Sequence, residues 1–133
     1  MGQQQLLLIV LGVIVVGIAV VVGINLFNAN AQSSNRDAVI SDLNNLGAMA
    51  QQFYKKPTSM GGGGNTFTGG GGWSIPVQLR TTANGTYNNP APVLSDSTVT
   101  IVGIGTETGN DGSAPVKATC TVTPTQINVH VDN

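Results

Sequence analysis

His130 and Asp132 stand two residues apart near the C-terminus, and Cys120 is the single thiol. An imidazole steered by a carboxylate can activate a nucleophile, and a thiolate can attack a carbonyl directly. Neither group has the company such chemistry needs. His130 lies on the polar side of an alternating segment with no obvious nucleophile nearby, so a solvated surface pair is expected. Cys120 alternates with Val and Ala and reads as a small buried hydrophobe. It has no second thiol for a disulfide, zinc or redox motif. Gly61–Gly64 and Gly69–Gly72 place eight glycines within twelve residues, yet no Gly-Lys-Ser/Thr follows and no strand precedes, which excludes a phosphate-binding loop. The stretch reads as a flexible or surface-draped loop over residues 57–72. Asn84-Gly85-Thr86 fits a glycosylation sequon, a common chance match. No catalytic residue, cofactor or metal is expected.

The elements around these residues carry more information. Charged residues make up 8% of the 133 residues, with a net charge of -1, so no basic field is present to hold nucleic acid. Residues 1–35 contain no ionisable side chain, and every charge falls from Arg36 onward. From Leu6 to Ile24 each residue is Leu, Ile, Val, Ala or Gly, a run long enough to cross a hydrocarbon core of about 30 Å as a helix. A secretory signal is one reading, supported by Ala29-Asn30-Ala31 but opposed by the length of the run and the lack of basic residues before it. A single-pass anchor is another, although no Lys, Arg, Trp or Tyr flanks the run. Gly12, Gly17 and Gly23 do not repeat every four residues, so they read as tolerated small residues rather than a dimer motif.

Nothing ends the helix where the apolar run stops. The first proline is Pro57, and Val39, Leu43, Leu46, Ala50 and Phe53 continue at spacings of 4, 3, 4 and 3. That spacing is one apolar stripe, the face on which the head is expected to pack. The chain therefore reads as a helix over residues 1–56, with an apolar half over 1–30 and an amphipathic half over 31–56. A helix apolar on every side must be covered on every side, and a head of this size cannot surround it. Residues 73–133 change to a period of two. Val116 to Val122, Ile127 to Val131 and Val99 to about Gly103 read as strands, Pro124-Thr125 as a hairpin turn, and Ser74 to Arg80 as an edge strand broken by Pro76. The expected fold is α+β, a protruding helix whose amphipathic half covers a small antiparallel sheet.

Gly2-Gln3-Gln4-Gln5-Leu6-Leu7-Leu8-Ile9-Val10-Leu11, followed by the apolar and amphipathic half-helices, resembles the N-terminal region of type IV pilin-like proteins. The likeness covers roughly residues 1–56 and lies in the layout rather than in one motif. It implies a structural subunit of an extracellular filament, a homo-oligomer built by helix packing. It also implies a single-pass stay in the inner membrane before assembly and a pilus assembly machinery as partner. By that likeness Met1 is the first mature residue, open to methylation, and the assembly surface comprises Met1, Gln5, Leu6, Leu7, Leu8, Ile9, Val10, Leu11, Val13, Ile14, Val15, Val16, Ile18, Val20, Val21, Val22 and Ile24. Gln5 stands where the family usually has glutamate, and the family's helix proline and C-terminal disulfide are absent. Other readings are a minor pilin or pseudopilin of a secretion system, and a membrane-anchored adhesive head using Trp73 and Tyr87.

Overall fold

The computed structural model describes residues 2–133, and Met1 lies outside the described residues. Helix α1 runs unbroken over Gln3–Lys55, about 80 Å at ~1.5 Å per residue. No proline interrupts it, and Pro57 follows its C-cap Lys56. Its first buried residue is Asn35.

Beyond the helix come β1 (Gly85–Thr86), β2 (Val93–Leu94), β3 (Val99–Thr108), β4 (Pro115–Val122) and β5 (Ile127–Val131). They form one antiparallel sheet in the order β1-β3-β4-β5, with β2 also paired to β3. The fold is thus α+β, a long helix with a small antiparallel sheet against its C-terminal half. Period-two sequence explains the central strands: Val99 and Ile101 on β3 and Val116, Ala118, Cys120 and Val122 on β4 face inward, fully buried. Val39, Leu43, Leu46 and Ala50 of α1 close that face, and half-buried Phe53 packs against the same cluster. The β4–β5 hairpin turns at Pro124-Thr125, where the Thr123 N–H donates to the Gln126 carbonyl at 2.8 Å.

Two expectations are corrected. Ser74 to Arg80 is not a strand: Val77–Leu79 is a 3-10 turn. Pro76 lacks the N–H a ladder needs, and its fixed φ suits the entry to a turn, which the Leu79 N–H closes on the Pro76 carbonyl at 2.8 Å. The Gly-rich segment is also more than a draped connection, because it caps α1. Gly63 N–H donates to Phe53 O at 2.7 Å, Asn65 N–H to Tyr54 O at 2.7 Å and Gly64 N–H to Lys56 O at 2.9 Å, satisfying carbonyls that a helix end leaves orphaned. Backbone must approach backbone for this, and a Cβ on Gly63 would sit 1.8 Å from the Thr66 carbonyl oxygen. The loop then inserts Phe67, fully buried, against the Tyr54 ring at 4.9 Å.

Candidate assembly interface

Residues 3–30 of α1 are all exposed among the described residues. The expected assembly residues Leu6 to Leu11, Val13 to Val16, Ile18, Val20 to Val22 and Ile24 are all exposed. Leu26 and Phe27 extend the same surface, so large apolar side chains from Leu6 to Phe27 are 53–73% exposed and no side of the helix is covered. The most apolar window has a mean hydropathy of 3.3 with none of it buried. By length and composition it could cross a membrane. Gln3, Gln4 and Gln5 are exposed at the tip. The N-cap Gly2 supplies no side-chain oxygen, and the first turn carries no acid to complement the helix dipole. Leu26 and Phe27 escaped the sequence reading because Asn25 interrupts the run just before them.

Asn35 marks where this surface ends and the head begins. Its Oδ1 accepts from the Thr106 and Glu107 backbone N–H groups at 3.1 and 3.2 Å. Its Nδ2 donates to the Asn84 carbonyl at 2.8 Å and to Thr106 Oγ1 at 3.3 Å. A β3 irregularity between Ile104 and Thr108 interrupts the ladder nearby, and the amide occupies donors the strand would otherwise leave open. Gly105 makes room, since a Cβ there would lie 2.2 Å from Asn35 Oδ1. A signal existed in the sequence, because Asn35 lies four residues before Val39 on the line of the apolar stripe.

About two turns further on, Asp42 ties the helix to the 80–87 segment. Its Oδ2 accepts from the Tyr87 hydroxyl, and from Thr82 Oγ1 and Asn84 Nδ2 at 3.2 Å each. Burial first, then the hydrogen bond and charge of Asp42, push the Tyr87 phenol well above its ordinary value. The side-chain nitrogen of the Asn84 sequon is thereby engaged with a carboxylate. Cys120 is fully buried, with its thiol 3.7 Å from the Leu43 carbonyl, and burial pushes its pKa up to about 11. His130 Nε2 lies 3.7 Å from Asp132 Oδ1 with the imidazole largely in solvent.

Trp73 and Tyr87, the two aromatic residues of the adhesive reading, pack into the head. Trp73 is 6% exposed and Tyr87 fully buried, both within the core cluster. Comparison of the chain with protein-family models, curated proteins and solved structures found no match.

Proposed function

We propose that this chain is the structural subunit of an extracellular filament resembling type IV pili, held together by its N-terminal half-helix. The observation that supports this reading is an α-helix whose large apolar side chains from Leu6 to Phe27 point in every direction with none of them covered by the described residues. Full burial of one such side chain contributes about 1.5–3 kcal/mol, so leaving the whole set in water is untenable. The cover is lipid while the subunit waits as a single-pass protein of the inner membrane, and identical helices after the pilus assembly machinery has placed it in a filament on the cell surface. The head stays folded throughout, because its own stripe from Val39 to Ala50 already meets the sheet.

Purified surface filaments should contain this polypeptide as their main component, with residues 3–34 protected from protease while intact and cut after dissociation. Recovery only as a scarce membrane-bound chain would favour a minor pilin or pseudopilin of a secretion system. Recovery as a detergent monomer at all concentrations would contradict assembly and leave a membrane-anchored head.

A further inference from the structure

The two edges of the sheet are finished differently. At one edge β1 and β2 are two residues each. A bridge from Thr81 to Thr86 lies outside β1, and the Phe67 N–H donates to the Asp96 carbonyl beside β2. Short strands and covering loops are the usual protections of an edge. At the other edge β5 has none of them: Ile127-Asn128-Val129-His130-Val131 contains no Lys, no Pro and no bulge.

Hydrogen-bond parity fixes which groups are free. The Thr123 N–H bonds the Gln126 carbonyl at one end of the β4–β5 ladder, and the Asp132 N–H bonds the Lys117 carbonyl at the other. With the register Thr121↔Asn128 and Thr119↔His130 between them, alternation directs the backbones of Asn128 and His130 toward β4 and those of Ile127, Val129 and Val131 outward. No backbone or side-chain partner meets these three among the described residues.

We propose that β5 is a homotypic docking edge that pairs antiparallel with β5 of a second copy, centred on Val129. The occupant follows from self-complementarity. In this register Val129 faces Val129 of the second copy, and Ile127 faces its Val131. All three outward residues thus exchange N–H···O=C bonds in both directions, and no outward group is left over. Side chains match as well. Ile127, Val129 and Val131 pair with Val122, Cys120 and Ala118 and so share the helix-covered face, which the second copy extends. On the solvent face Asn128 meets His130 and Gln126 meets Asp132, so no like charges oppose. A register moved by one residue would set inward-bonded backbones against outward ones and lose the ladder.

The two-fold axis of such a pair is normal to the sheet, which keeps both helices on one face and reverses the direction of one against the other. Two copies joined this way cannot belong to one bundle of parallel helices. In filaments, β5 therefore joins heads of neighbouring filaments running in opposite senses, a lateral contact distinct from the N-terminal core. The pairing does not rest on the filament reading; only this consequence does.

The test uses full-length chains in detergent, where the apolar half-helix is covered and head contacts remain. Chains carrying Asn128→Cys are mixed with chains carrying His130→Cys under mild oxidation. These positions face one another as a non-hydrogen-bonded pair about 4.5 Å apart, within disulfide range, whereas like positions lie about 7–8 Å apart. Buried Cys120 does not compete. The mixture should give at least about fivefold more cross-linked dimer than either variant alone. Adding Val129→Pro, which removes an outward N–H and no internal ladder bond, should return the yield to the level of the single variants. Equal yields from the mixture and the single variants, or a yield untouched by Val129→Pro, would overturn the edge assignment. Either result leaves the filament reading standing, since that depends on filaments formed without detergent.

Discussion

The two halves of α1 share one backbone geometry and differ in everything that surrounds it. Residues 3–34 have no buried member, whereas from Asn35 onward every third or fourth residue is covered by the sheet. The same unbroken hydrogen-bond ladder serves both, so what distinguishes the halves is burial rather than backbone geometry. The C-terminal half satisfies its stripe within the chain and acts as the spine of a head. The N-terminal half leaves its apolar surface to be satisfied by something else. Asn35 sits at the boundary and bonds the helix to β3 just as the sheet begins.

Substitutions at matched depth in the two halves separate folding from assembly most sharply. Placing a cation in the uncovered half, as in Val15→Lys, should abolish filaments altogether, because an unpaired buried charge costs far more than a surface substitution. The head should keep the native Trp73 emission. Filaments at wild-type abundance by electron microscopy would show that the apolar half is not their core. In the covered half Leu43→Ala should lower head stability by about 2–5 kcal/mol in denaturant titration, while Ile14→Ala should leave it unchanged. Equal losses from both would erase the distinction between the halves.

A smaller effect is expected at the boundary. Asn35→Leu removes an amide that serves two strand N–H groups and the Asn84 carbonyl, and should cost about 1–3 kcal/mol. Amide hydrogen exchange should accelerate at Thr106 and Glu107 before the rest of β3. Uniform exchange along β3 would mean that Asn35 does not hold the bulge.

The helix and the β4–β5 hairpin were legible because each repeats a strong period long enough to outweigh noise. Val39, Leu43, Leu46 and Ala50 announce a face by spacing, and Cys120 announces its burial by alternating with Val and Ala. What escaped depends on contacts remote in sequence. β1 and β2 are strands only because β3 pairs with them, and two residues cannot show a period. Phe67 sits among glycines with no periodic neighbour, so nothing local says that its ring enters the core. Pro76 interrupts a period that otherwise suggests a strand, whereas its missing N–H and fixed φ favour the turn that forms. The free edge of β5 needs a register to be seen, and register is a property of pairs of strands.

The smallest predicted effect concerns pH and only the covered half. Burial holds the Cys120 thiol neutral up to about 11 against an ordinary 9.0, and the Tyr87 phenol is raised as well. The unfolded chain loses these protons first, so their contribution is fully present below pH 9.0 and fades as pH rises toward about 11, with the Tyr87 part continuing above. A fall in melting temperature on the order of a few degrees is expected across that window. A flat profile would place both groups in water. Native Cys120 should also react with a thiol reagent much more slowly than the denatured chain.

The division of labour between the halves is tested most directly by removing one. A chain beginning at Asn35 keeps the stripe from Val39 to Phe53 and the whole sheet but loses the uncovered surface. Light scattering and negative-stain microscopy should find it folded, soluble and free of ordered filaments under conditions in which the full chain polymerises. Ordered filaments from this shortened chain would show that the head carries assembly by itself and would contradict the role given to the N-terminal half.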